Sequence, residues 1–130
     1  MPKNNITKGQ IEAQISEAII KFEKEYMGRG PDETKTYIIG DMILIRLSRV
    51  LTPAEQQLAK VGGETKGRSL IKEVRRELIE KARPLLDPMI EEITGRKVKS
   101  LHTDISTVTG ERIIIFILEK SFLDDGTGLE

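Results

Sequence analysis

The chain has 130 residues and no cysteine, with Lys+Arg and Asp+Glu at 21 each and a formal net charge of zero. That length is ample for one domain with its own core. The missing cysteines exclude disulfides, thiolate nucleophiles and Cys-ligated zinc, and the balanced charge disfavours a generic nucleic-acid binder. No apolar run approaches the ~20 residues that span a bilayer, and Met1-Pro2-Lys3-Asn4-Asn5 lacks the apolar core of a signal peptide. The expectation is a soluble, cytoplasmic chain whose contact with a membrane, if any, runs through a partner at its inner face.

In chain order, the first helix opens at Thr7 and Gln10, which have capping-box spacing, with Ile6 and Ile11 placed as a hydrophobic staple. Ile11, Ile15, Ala18, Ile19, Phe22 and Tyr26 recur at helical spacing, and Gly28 stops the run. The spacing then predicts strands over 35–39 and 42–50 about the turn pair Gly40-Asp41. In the second strand Ile43, Ile45 and Leu47 share one face; the other begins apolar (Met42, Leu44) and turns polar (Arg46, Ser48). Thr52-Pro53-Ala54-Glu55 is a strong start for a short second helix that ends at Gly62-Gly63.

Leu70, Ile71, Val74, Leu78, Ala82, Leu85 and Met89 predict the core stripe of a long third helix. Pro84 and Pro88 predict a kink or break near Leu86-Asp87, with Asp87 capping a new start, before Gly95 closes the segment. Strands over 97–106 and 111–120, joined through Thr109-Gly110, complete the fold. The six apolar residues Ile113 to Leu118 predict a strand covered on both faces. The reading is α+β, in the order α-β-β-α-α-β-β, with a four-stranded, mainly antiparallel sheet packed with helices. Residues 1–120 form one domain and 121–130 a flexible tail. Because one chain offers little helix to cover both sheet faces, a homodimer is expected.

Candidate chemistry is sparse. His102, Asp104 and Ser106 share one side of a strand, with Arg112 nearby in the hairpin. Alternate strand residues stand roughly 6.5–7 Å apart at the backbone, so these groups do not converge on one reacting atom. A polar strand face that pins the hairpin is the simpler reading; an enzyme with a polar site around His102 and Asp104 is the alternative. One His and no Cys leave no typical zinc site, and no EF-hand loop occurs, so neither metal nor cofactor is expected. Gly28-Arg29-Gly30-Pro31 follows a helix and lacks a Walker lysine; Gly62 to Gly67 precedes a helix but does not match GxxxxGK[ST]. On the third helix Arg68, Lys72, Arg76 and Arg83 fall in one arc beside an acidic arc of Glu73, Glu77 and Glu80. That basic strip, with Arg29, is the candidate surface for a partner or an anion; a solvated face held by helix ion pairs is the alternative.

Three stretches carry a family resemblance: GRGPDETKTYIIGDMILIRLSRVLTPAEQQLAK from Gly28, GRSLIKEVRRELIEKARPLLDPMIEEITGRKVKSLHTDIS from Gly67, and the TGER turn at Thr109 to Arg112. Together they resemble the MpsC-like family, described as part of a sodium-translocating, membrane-potential-generating system. The resemblance implies a soluble, non-catalytic accessory or regulatory protein of a membrane ion or bicarbonate transport system, with a membrane transport protein as partner. A small-ligand sensor that binds an anion is the rival reading.

Overall fold

The computed structural model describes residues 6–60 and 66–122. The N-terminal helix α1 (Lys8–Phe22) opens with the expected reciprocal cap: the Gln10 amide donates to the Thr7 hydroxyl at 3.1 Å, and the Thr7 amide donates to the Gln10 side chain at 2.9 Å. The helix then widens into one π-helical turn, Glu23–Met27, and stops at Gly28, whose φ of 95° a side chain would strain. Tyr26, the last residue of the helical-spacing series, is exposed and stacks on Phe22 with ring centroids 5.0 Å apart.

Strands β1 (Glu33–Ile39) and β2 (Met42–Ser48) form the first hairpin; β3 (Val98–Ile105) and β4 (Arg112–Leu118) form the second. Between them lie α2 (Pro53–Lys60) and α3 (Lys66–Thr94). All three pairings are antiparallel, in the order β1-β2-β4-β3. The α+β order and the four-stranded sheet are therefore as the sequence implies. The edge strand β1 is tied to α1, because the Ile38 amide donates to Glu12 at 2.9 Å and Ser16 shares a 2.7 Å bond with Thr36.

Helix α3 departs from expectation twice. It runs unbroken for 29 residues through Pro84 and Pro88. Both prolines are exposed, so the carbonyls they leave without an amide donor can bond water; Asp87 caps nothing and instead accepts from Arg83 at 2.9 Å. The buried stripe is Ile71, Arg75, Ile79, Ala82, Leu86, Ile90 and Thr94. Of the residues assigned to the core, Leu70, Val74, Leu78 and Leu85 are exposed. The helix is apolar over two adjacent arcs, and the sheet takes the isoleucine-rich one.

The core lies between the helices and one face of the sheet, where Ile43, Ile45, Leu47, Ile114, Phe116 and Leu118 are buried. The other face is uncovered by any described residue of the chain. Its cross-strand rows are Ile39–Met42–Ile117–Ser100, Tyr37–Leu44–Ile115–His102 and Lys35–Arg46–Ile113–Asp104. Tyr37 and Ile39 are 40% and 52% exposed, while Ile113, Ile115 and Ile117 are half-buried. The double coverage expected for Ile113 to Leu118 is thus only half supplied by the described residues. At the C-terminus, the part of the expected tail that is described is packed: Phe122 is buried, under the Arg96 guanidinium at 3.8 Å. The rest of that tail, 123–130, and the Gly62 to Thr65 part of the second glycine loop lie outside the described residues.

Candidate functional site: a buried ionic cluster and its cleft

Five polar or charged residues are buried among the described positions, and three of them, Glu23, Arg75 and Arg112, meet at one place. Each comes from a different element. The π-helical turn carries Glu23 at the end of α1. Arg75 occupies a core position of α3 between Ile71 and Ile79, and Arg112 opens β4 on its inward face. A fourth member, Glu55, is the capping-box residue of α2: it accepts from the Thr52 amide at 2.9 Å, while its own amide donates to the Thr52 hydroxyl at 3.2 Å.

Arg75 is the hub. Its Nε and Nη2 donate to the two Glu55 carboxylate oxygens at 3.0 and 2.7 Å, a fork that only a guanidinium makes, and Nη2 also reaches the Val50 carbonyl at 3.0 Å. Glu23 lies opposite, its oxygens 3.8 Å from Arg75 Nη1 and 3.6 Å from Arg112 Nη1. At those separations the charges attract without hydrogen bonding, and neither Glu23 oxygen nor either Nη1 has a hydrogen-bond partner among the described residues. Arg112 Nε donates to Thr103 at 3.3 Å.

The electrostatics follow from burial. Loss of water pushes Glu23 above the usual carboxylate range, although Arg112 and Arg75 pull the other way. Burial likewise lowers Arg112 to about 10, opposed by Glu23. Burial also acts to raise Glu55, but the bonds from Arg75 and Thr52 outweigh it and hold that carboxyl below its usual range. Two cations and two anions thus compensate one another inside the protein and clamp α1, α2, α3 and β4 together. Glu55 and both arginines are hydrogen-bonded within the protein, whereas Glu23 is held by charge alone.

A shallow surface cleft leads outward from the two arginines and is lined by Lys72, Arg76, Thr103 and Asp104. Two residues of the expected basic strip therefore meet here. Lys72 pairs with Asp104 at 3.2 Å, and Asp104 sits below the usual range, chiefly through the hydrogen bond it accepts from the Ile105 amide, with Lys72 assisting. The other candidates are spread out. Arg83 pairs with Asp87, and Arg68 is half-buried at the start of α3. Arg29 braces a loop: it donates to the Arg49 carbonyl at 3.0 Å, where Arg49 holds a left-handed φ of 53°, and to Asp32 at 3.2 Å.

In the hairpin, His102 and Asp104 point away from the core while Arg112 points into it. His102 Nε2 lies 3.3 Å from the Ser100 hydroxyl, and Ser106 accepts from the Thr109 amide at 3.1 Å. The four residues do not converge. Sequence reasoning missed Glu23 and Arg75 and read Glu55 only as a cap. The available signal was Arg75 itself, a cation set between Ile71 and Ile79 at four-residue spacing on what proves to be the buried row.

No described helix is long and apolar enough to cross a membrane, and no group of three or more potential metal ligands occurs among the described residues. Two proteins of Bacillus subtilis (strain 168) are similar to the chain. The uncharacterised protein YbcI is 46% identical over 112 residues, covering 86% of this chain and 88% of YbcI. The uncharacterised protein YrhF is 25% identical over 118 residues, covering 90% and 94%. No solved structure matches. The family described as "Na+-translocating membrane potential-generating system (MpsC)" matches residues 7–120, almost the whole of the described fold, and the chain belongs to that MpsC family.

Proposed function

We propose that this domain is a non-catalytic accessory or regulatory subunit of a membrane ion or bicarbonate transport system, cytoplasmic, and working by binding as a homodimer. The family description supplies the membrane system. The observation that carries the binding reading is the uncovered sheet face, where Tyr37, Ile39, Met42, Leu44, Ile115 and Ile117 form two apolar rows beside a charged row of Lys35, Arg46 and Asp104. An exposed apolar sheet face marks an interface, and a second copy provides a surface of matching chemistry through a two-fold axis. A non-enzymatic role is supported by the divergence of His102, Asp104, Ser106 and Arg112 and by the mutual compensation of the buried charges. The test is recovery from native membranes with tagged protein under gentle detergent. Capture of an integral-membrane component of a sodium-translocating or bicarbonate-transporting system supports the reading, and recovery of none contradicts it.

One observation favours the rival reading of a small-anion sensor: four cationic side chains, Lys72, Arg75, Arg76 and Arg112, border a single cleft against one lining carboxylate, Asp104. Titration with sulfate and phosphate decides it. A sensor binds one of them with an affinity that falls when Arg76 is replaced by Ala, whereas an accessory subunit binds neither.

A further inference from the structure

A surface helix ordinarily carries one apolar stripe, turned to the core. Helix α3 carries a second. Leu70, Val74, Leu78 and Leu85 are 49%, 47%, 37% and 58% exposed. At about 100° per residue they fall within an arc of about 80°, next to the buried stripe. Leu58 of α2, 39% exposed, adjoins its upper end, because α2 comes so close to Gly67 that a side chain there would run into the Leu58 carbonyl. The far flank of the stripe is acidic: Glu73, Glu77 and Glu80 are all exposed, and Lys81 is the one cation between Leu70 and Leu85 on this side.

We propose that this stripe docks an amphipathic helix whose apolar face is flanked by Lys and Arg. Spacing of four and seven residues suits helix-in-groove packing, and three carboxylates against one ammonium select a basic flank. A second copy of the chain fits poorly. In an antiparallel helix pair each flank faces its own counterpart, which would set Glu73, Glu77 and Glu80 against themselves. An anionic lipid surface is repelled by the same three residues. Segments that membrane proteins present on the cytoplasmic side are enriched in Lys and Arg, so the proposal rests on the accessory-subunit reading and names the chemistry of its partner. It also moves the docking surface from the basic strip, where Lys72 and Arg83 are held by Asp104 and Asp87, to the acidic side of the same helix.

The test uses the whole protein and two designed helical peptides of about five turns, ~18 residues each, with one leucine stripe and either Lys or Glu flanks. Fluorescence anisotropy at low salt should show binding of the Lys peptide and none of the Glu peptide. Leu78→Ser and Leu85→Ser, both at exposed positions, should each weaken binding by about tenfold or more. Combined Glu73→Lys, Glu77→Lys and Glu80→Lys should reverse the preference between peptides. Binding indifferent to the leucine changes, a preference unmoved by the charge reversal, or tighter binding to phosphatidylglycerol vesicles than to the Lys peptide would each overturn the proposal. If the Lys peptide binds as described but native membranes yield no transport component, the accessory reading fails and the docking chemistry stands.

Discussion

Replacing Arg75 by Met should destabilise the domain more than any surface change. Met keeps most of the aliphatic volume but removes the forked bonds to Glu55 at 2.7 and 3.0 Å, the bond to the Val50 carbonyl, and one of the two cations facing Glu23. At an effective dielectric near 20 a close pair of this kind attracts by about 4 kcal/mol. Removing one partner of a buried pair costs about 3–5 kcal/mol, because the other charge stays buried without compensation. For a domain of this size that corresponds to a fall in Tm of roughly 10–20 °C. Urea denaturation at pH 7, with the m-value checked for constancy, measures it. Arg75→Lys keeps the charge without the fork and should fall between the two. A loss below about 1 kcal/mol for Arg75→Met would refute the claim that the cluster holds the elements together.

Two predictions concern pH and one concerns packing. Glu55 is held below the usual carboxylate range, so its stabilisation is complete above that range and is lost as pH falls through the depressed value. Arg75→Met should remove much of this acid sensitivity, and an unchanged stability profile between pH 6 and the acid limit would contradict the assignment. Glu23 has the opposite sign: its pKa is raised by burial, so its contribution declines as pH climbs from the ordinary carboxylate value to the raised one. Glu23→Gln should therefore gain stability relative to wild type across that interval and cost less at pH 7 than Arg75→Met; a relative loss with rising pH would contradict it. Gly67→Ala, despite a better helix former, should destabilise by about 1–3 kcal/mol, because the added methyl meets the Leu58 backbone; a neutral or stabilising result in thermal melts would show that α2 yields freely.

The parts of this fold written in local chemistry were legible. The Thr7–Gln10 and Thr52–Glu55 boxes, the turn glycines Gly40 and Gly110 and the strand alternation around Ile43 and Ile45 fixed the element order. The α3 core face was misread because Leu70 and Ile71 both belong to apolar arcs, and periodicity alone does not say which arc meets the sheet. Arg75 was hidden by the habit of placing cations outside, and only the convergence of Glu23, Glu55 and Arg112 from distant segments makes its burial affordable. The continuity of α3 through Pro84 and Pro88 depends on both lying on the solvent side, which is a tertiary fact. In β2 the sequence did show the uncovered face on which the proposed binding role rests: Met42 and Leu44 continue an apolar surface that Arg46 ends, and the structure extends it across the strands to Ile115 and Ile117.

The claim that this domain acts through its uncovered sheet face is tested most directly by sedimentation equilibrium on wild type and Ile115→Asp. Ile115 sits at the centre of the middle row, between Leu44 and His102, and a two-fold axis would place two introduced carboxylates, one from each copy, in the same interface. Wild type should sediment as a dimer at tens of micromolar. Ile115→Asp should sediment as a monomer with an unchanged far-ultraviolet circular dichroism spectrum, since the substituted face is not the one that packs on the helices. A monomeric wild type, or a variant that remains dimeric, would contradict the account.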